Sequence, residues 1–144
     1  MEEKYMLEAL KEAEKALNCL EVPVGAVIVY KNKIIAKGYN KKETMKNGLM
    51  HAELIAINKT CTKLSDWRLN ECVLYTTLFP CPMCASAIQQ SRIKKIYYIL
   101  ESNDIYSFEL SKKILNNPKS PVEFKKIEIE TNLLKDFFYK IRLK

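Results

Sequence analysis

The chain has 144 residues and a net charge of +7, with 24 Lys and Arg against 17 Asp and Glu, and 48% of its residues are hydrophobic. This length predicts one domain over residues 1–144, large enough to bury a core without disulfides. No apolar stretch is long enough to span a bilayer, and the N-terminal residues lack the basic and apolar regions of a secretion signal. We therefore expect a cytoplasmic protein with no membrane partner. In that setting the five cysteines indicate metal ligands and buried thiols rather than disulfides.

The spacing of apolar residues predicts an alternation of helices and strands. Residues 2–20 repeat apolar side chains at three- and four-residue intervals, which is typical of an amphipathic helix. Two β-branched runs at 24–30 and 34–39 then predict a hairpin. Further helices are expected at 51–59, 82–91 and 105–115, strands at 72–78, 95–100 and 122–130, and a last helix from Thr131 or Asn132 to Arg142. This order predicts an α/β fold with one mixed five-stranded sheet and helices on both faces.

Two short motifs supply the groups of a catalytic metal site. His51-Ala52-Glu53 contains the single histidine of the chain, and Pro80-Cys81-Pro82-Met83-Cys84 contains two thiols. Three protein ligands leave a fourth position of zinc open for water, whereas a structural site is closed by four ligands. His51 and Glu53 converge on a metal only if they stand at a helix entrance, so we expect two helix N-termini to face each other across the zinc. Glu53 is then free to carry protons.

The two motifs in this order indicate a particular class of zinc site more specifically than either motif does alone. A lone C-x-x-C also occurs in redox and structural zinc sites, and H-x-E alone has little value. H-A-E followed after about thirty residues by P-C-x-x-C at a helix start is the signature of zinc nucleobase deaminases, in which the glutamate is not a ligand. A structural zinc site would need Cys61 or Cys72 as a fourth ligand, and a redox pair would leave His51 and Glu53 unexplained.

At these residues the chain resembles the cytidine and deoxycytidylate deaminase superfamily, and within it the bacterial tRNA-specific adenosine deaminases. The resemblance implies the three-layer α-β-α fold of cytidine deaminases and hydrolytic conversion of wobble adenosine to inosine. It covers nearly the whole chain and is carried by residues 21–26, 38–40, 51–53, 67–69, 74–78, 80–85, 91–93 and 136–138.

The resemblance also implies specific roles. One Zn²⁺ per subunit is expected on His51, Cys81 and Cys84, with Glu53 as general acid and base. Asn40 is expected to hydrogen-bond the substrate nucleoside, Val24 to line the base pocket, and Phe138 and Arg142 to touch the nucleic acid. The implied partners are tRNA and a second copy of the chain, with Tyr75, Ala85 and Ile88 as candidates for the dimer interface or for the core. Candidates for phosphate contact are Lys94, Lys95, Lys140, Arg142 and Lys144.

Two departures from the family pattern leave the substrate open. Phe79 replaces the glutamate that usually precedes the motif proline, and residues 99–108 contain none of the glycines of the family loop. The alternative is therefore a deaminase of a free base or nucleoside, such as guanine or cytosine, with the same fold. A catalytically silent binding subunit is a third hypothesis, but such subunits lose the glutamate that this chain retains as Glu53.

Overall fold

The computed structural model describes residues 2–132 and 135–136. Its helices are α1 (Glu2–Asn18), α2 (Ala52–Leu64), α3 (Pro82–Gln90) and α4 (Ile105–Leu115). Its strands are β1 (Gly25–Tyr30), β2 (Lys33–Tyr39), β3 (Cys72–Leu78), β4 (Lys95–Leu100) and β5 (Glu123–Lys126). None of the helices in these residues is long and apolar enough to cross a membrane.

The strands form one mixed sheet in the order β2-β1-β3-β4-β5. β1 runs antiparallel to both of its neighbours, whereas β3, β4 and β5 are parallel. The start of β1 therefore lies at the same edge of the sheet as the ends of β2, β3 and β4. This edge, which we call the carboxyl edge, carries the site described below.

Alternate residues of β1 pack on opposite faces of the sheet, because successive strand side chains point to opposite sides. Ala26 and Ile28 belong to the larger core, together with residues of α2, α3 and α4. Val27 and Val29 belong to the second core, which α1 covers with Tyr5, Met6 and Ala9. The mixed sheet with helices on both faces is thus confirmed, and it has the three layers that the resemblance implies.

Two glycines allow helices to lie directly against the sheet. A Cβ on Gly25 would stand 2.1 Å from the Ala9 carbonyl oxygen of α1. A Cβ on Gly38 would stand 2.5 Å from the Ala52 carbonyl oxygen and 3.0 Å from the Ala56 nitrogen of α2. Real Cβ atoms essentially never come within 3.0 Å of a backbone atom, so the contacts at 2.1 Å and 2.5 Å both require glycine. Gly38 therefore sets the height of the first turn of α2 above the sheet.

The predicted elements up to β5 are present, and their ends differ in places. α2 extends to Leu64, five residues past the expected end, and β5 stops at Lys126 instead of continuing to residue 130. The predicted last helix, together with Phe138 and Arg142, lies almost entirely outside the described residues. Tyr75, Ala85 and Ile88 are buried within the chain, so they belong to the core and not to an exposed dimer interface.

Candidate metal centre and active site

Two helix N-termini meet at the carboxyl edge. His51 is the N-cap of α2 and Cys81 is the N-cap of α3, and both have extended backbone conformations. Their carbonyl oxygens accept the first helical hydrogen bonds, from Ile55 at 3.0 Å and from Ala85 at 2.8 Å. Pro82 occupies the first turn of α3, where its missing N–H costs no hydrogen bond. The predicted pair of facing helix entrances is confirmed.

The three predicted ligands form one cluster. His51 Nδ1 lies 3.7 Å from Cys81 Sγ and 3.6 Å from Cys84 Sγ, and all three donor atoms are within 4.8 Å of one another. A tetrahedral zinc with usual Zn–N and Zn–S lengths holds such atoms about 3.6 Å apart. Both the spacing and the soft donor set therefore fit zinc. In the described part of the chain Glu53 is not a member of this cluster.

The electrostatics of the cluster favour the thiolate form of Cys81, which is the form that binds a metal. A hydrogen bond from the Cys84 thiol and the nearby His51 lower the pKa of Cys81 to about 4. The hydrogen bond to Cys81 raises the pKa of Cys84, and a separate hydrogen bond between His51 and Cys81 is the main reason that the pKa of His51 is raised. A divalent cation bound here would displace the thiol protons and hold both sulfurs as thiolates.

Glu53 is placed for proton transfer. It is the second residue of α2 and only 4% exposed. Burial raises the pKa of its carboxyl group to about 7. A carboxyl group with a pKa near neutral can both accept and return a proton, which is the property required of a general acid and base.

A pocket of about 280 Å³ opens beside this cluster. Its lining follows the strand order along the carboxyl edge: Asn40 after β2, Val24 before β1, Phe79 after β3, and Ser102 and Asp104 after β4. Glu53, His51 and Cys81 also line it. The structure brings together every predicted site residue that lies in the described part of the chain; Phe138 and Arg142 are the two that lie outside it.

Asn40, which lines the pocket, carries a buried side-chain acceptor. The side chain is 8% exposed, and its Nδ2 donates to the Val22 carbonyl oxygen at 3.3 Å. Its Oδ1 is buried and has no hydrogen-bond partner among the residues that the structure describes. Because a buried carbonyl oxygen without a partner is costly, this atom is suited to accept a hydrogen bond from a ligand.

Several lining residues were not predicted. Val22, Lys42, Leu78, Ser102, Asp104, Ser107 and Phe108 all border the pocket. The sequence does contain a local signal for the start of α4, since Asp104 accepts hydrogen bonds from the backbone and hydroxyl of Ser107 as an N-cap does. Nothing local shows that this turn faces the zinc cluster. Lys94 and Lys95 lie at the opposite edge of the sheet, at the start of β4, and cannot serve this pocket.

The half-buried His51-Cys81-Cys84 cluster, with a buried glutamate beside it in a pocket, has the ligand set of a zinc-binding catalytic site. The model of the cytidine and deoxycytidylate deaminase zinc-binding region matches residues 1–100, and the chain belongs to this family. The tRNA-specific adenosine deaminase of Rickettsia bellii is 43% identical over 144 aligned residues, covering 95% of this chain and 99% of its own length. That of Bacillus subtilis is 47% identical over 97 residues, covering 67% of this chain and 60% of its own length, which is less than two thirds.

Solved structures share the fold. One, from a study of A-to-I editing by tRNA:A34 deaminases at the wobble position of transfer RNA, has a TM-score of 0.77 and 29% identity, covering 94% of this chain and 97% of its own. A guanine deaminase from Bacillus subtilis has a TM-score of 0.69 and 32% identity, covering 97% of this chain and 93% of its own. The cytidine-deaminase-like fold that the sequence resemblance implies is thereby confirmed.

Proposed function

We propose that the protein hydrolyses the exocyclic amine of adenosine at the wobble position of a tRNA anticodon loop, giving inosine and ammonia. The observation that carries the reaction is the buried Glu53 carboxyl group between the His51-Cys81-Cys84 cluster and the pocket. The substrate is supported by the relatives, among them the Rickettsia bellii protein, 99% of whose length is covered.

His51, Cys81 and Cys84 would hold one Zn²⁺ in each subunit. When bound, the ion supplies a water molecule of lowered pKa for attack on the base. The dipoles of α2 and α3 point their positive ends at the two thiolates and favour their charged form. Cys84 is fully buried, so this ligand is protected from competing reactions in solvent.

Glu53 moves the protons. It takes one proton from the attacking water and transfers it to a ring nitrogen of adenine. It then takes the second proton from the hydroxyl group that the attack has added to the base and gives it to the departing amine, which leaves as ammonia. Its burial serves both halves of this cycle, because the raised pKa makes the carboxylate a stronger base than it is in water, while the acid can still give the proton up near neutral pH.

Asn40 and Val24 orient the base. The free Oδ1 of Asn40 accepts a hydrogen bond from the nucleoside, and Val24 provides an apolar contact beside it. A base can reach this depth only when it is unstacked, which a single-stranded loop allows at low cost.

The rim of the pocket offers contacts for the neighbouring nucleotides. Lys42 lines the mouth and supplies positive charge for phosphate. Ile105 and Tyr106, exposed by 75% and 78%, lie between the lining residues Asp104 and Ser107, and the ring of Tyr106 can stack on an unpaired base. The predicted contacts of Phe138 and Arg142 with the nucleic acid stay predictions.

The test uses the zinc-loaded protein and tRNA transcripts that carry adenosine or cytidine at the wobble position. We expect the adenosine to read as guanosine after reverse transcription and the cytidine to remain unchanged. A Glu53→Gln variant with the same zinc content controls for contaminating activity. Zinc-loaded, folded protein that produces no inosine would refute the proposal.

A free base is the second candidate substrate, and the similarity to a guanine deaminase favours it. Guanine would be hydrolysed at its 2-amino group by the same cluster and the same glutamate. Release of ammonia from guanine or cytosine, without inosine in tRNA, would establish this function in place of the first.

The proposal includes action in the cytoplasm and a homodimer. The cytoplasmic location and the dimer were both predicted from the sequence. The dimer needs another interface, because Tyr75, Ala85 and Ile88 lie in the core. Exposed Trp67, stacked by Arg68 and Arg92, offers the aromatic and arginine side chains that are common in interfaces. Sedimentation of the zinc-loaded protein tests for the dimer, and a single monomeric species would contradict it.

A further inference from the structure

A buried carboxylate holds the loop between β2 and α2. Glu21 is 1% exposed, and its backbone N–H donates to the Ala16 carbonyl oxygen of α1 at 2.9 Å. Its Oε1 accepts a hydrogen bond from the Glu43 backbone N–H at 3.0 Å. Its Oε2 accepts from the Thr44 backbone N–H at 2.6 Å and from the Thr44 hydroxyl at 2.7 Å. These three bonds fix the two loop residues that directly follow Lys42.

The hydrogen bonds of Glu21 require a carboxylate. Both of its oxygens act only as acceptors, whereas the amide of glutamine has one accepting oxygen and one donating nitrogen. In Glu21→Gln that nitrogen would face the N–H of either Glu43 or Thr44. One backbone N–H would then lose its partner, which is unfavourable. The substitution therefore loosens the loop while the volume of the side chain hardly changes.

The loop leads from the end of β2 to the first metal ligand. We call residues 41–50 the rim loop. Its two ends are joined independently of Glu21, because the Lys41 N–H donates to the Met50 carbonyl oxygen at 2.9 Å. Loss of the Glu21 bonds should therefore release the middle of the rim loop and leave His51 in place.

Lys42 connects the rim loop with the pocket. It lines the pocket and directly precedes the residues whose N–H groups bond to Glu21. Burial raises the pKa of Glu21, but the hydrogen bonds from Thr44 and Glu43 lower it, and the positive charge of Lys42 lowers it further. The carboxylate thus acts on Lys42 in two ways, through the backbone and through charge.

We propose that Glu21 is a positioning residue that holds Lys42 at the mouth of the pocket, where the lysine receives a phosphate group of the substrate. This inference rests on the proposed function and names a residue that acts on its substrate through a neighbouring segment. It favours a phosphate-bearing substrate over a free base. Charge alone makes the opposite prediction for Glu21→Gln, because removal of a negative charge should strengthen the binding of a polyanion.

The test measures how the zinc-loaded protein binds an RNA stem-loop that carries purine riboside, which has no 6-amino group, at the wobble position. We expect Lys42→Ala to raise the Kd about fivefold and to lower the slope of log Kd against log salt concentration by about 0.7. Glu21→Gln should raise the Kd about threefold. It should have no further effect in Lys42→Ala protein, because residues that act through one contact are not additive.

Glu12→Gln is the matched control. Glu12 is also buried, at 4% exposed, but its carboxylate pairs with Lys15 of the same helix at 2.7 Å. This variant removes the same charge and should keep the wild-type Kd. Free purine riboside, which has no phosphate, should bind equally to wild type and Glu21→Gln. Thr44→Val removes only the hydroxyl hydrogen bond, so it should give a smaller loss of RNA binding that also disappears in Lys42→Ala protein.

The outcomes separate this proposal from the proposed function. Unchanged or tighter RNA binding by Glu21→Gln would overturn the positioning role, and so would an equal loss in Lys42→Ala protein. The expected pattern of binding without inosine in tRNA would refute only the proposed reaction. Inosine formation without a loss of binding in Glu21→Gln would refute only the positioning role. Wild-type protein that does not bind the RNA would refute both.

Discussion

The position of α2 on the sheet controls the catalytic groups, and Gly38→Ala perturbs it directly. The added Cβ would stand 2.5 Å from the Ala52 carbonyl oxygen, where ordinary contact begins at 3.4 Å. The obstacle is backbone that cannot rotate away, so the first turn of α2 must move by about 0.9 Å. That turn carries Glu53 and begins at His51.

The expected magnitude follows from this displacement. Overpacking of this kind costs about 1–3 kcal/mol of stability. A catalytic group misplaced by about 1 Å costs about 100-fold in rate. We therefore expect Gly38→Ala to remain folded at 25 °C with a lowered Tm and a kcat reduced by about two orders of magnitude.

The other two glycines provide the controls. Gly48→Ala should behave as wild type, because nothing lies within 4 Å of its Cβ position. Gly25→Ala displaces α1, which does not line the pocket, so it should lower the Tm with little effect on kcat. The assay is inosine formation at saturating RNA, with zinc content and Tm measured on the same samples. Wild-type kcat in folded Gly38→Ala, or an equal loss in Gly25→Ala, would refute the reasoning.

Three further predictions concern single groups. Glu53→Gln should lower kcat by about 10²–10⁴ with unchanged zinc content, because it removes the proton carrier and no ligand. Cys84→Ser should lose both zinc and activity, as measured by metal analysis and turnover, because a hydroxyl group is a poor substitute for a buried thiolate. Burial raises the pKa of Glu21, but hydrogen bonds from Thr44 and the Glu43 backbone outweigh this effect, and the net pKa lies below 4.5. Glu21 should therefore stabilise the native state at neutral pH and lose that contribution as the pH falls below about 4.5, so the difference in unfolding free energy between wild type and Glu21→Gln should shrink in acid.

Each of these predictions has a contrary outcome. Wild-type turnover in Glu53→Gln would remove the glutamate from the mechanism. Full zinc occupancy in Cys84→Ser would show that the metal is held elsewhere. A stability difference for Glu21→Gln that stays constant from neutral pH to pH 3 would show that its carboxylate is not selectively stabilised in the fold.

The metal cluster could be predicted from the sequence because its geometry is local. A two-residue spacing at one helix entrance and a three-residue spacing at another fix where the side chains of His51, Cys81 and Cys84 can point. The strands β3 and β4 could also be predicted, because each is a continuous apolar run and the ends of the run coincide with the ends of the strand in the structure. Asn40 and Val24 came from the resemblance, and the structure places both in the pocket.

The part of the pocket around Phe79 could not be predicted, because it depends on packing between segments that are distant in the sequence. Phe79 was recognised only as a departure from the family pattern. Its contacts with Tyr98, Phe108 and Phe124 come from three other elements, and no local spacing reveals them. Tyr75 was a candidate for an interface for the same reason: its burial depends on α1, which packs Tyr5 against it at a ring distance of 5.3 Å.

The most direct test of the account is the conversion of wobble adenosine in an intact tRNA by the zinc-loaded protein, read by sequencing the product. The account predicts inosine at that single position, with none when Glu53 is replaced by glutamine. Unmodified adenosine in the presence of folded, zinc-loaded wild-type protein would contradict it.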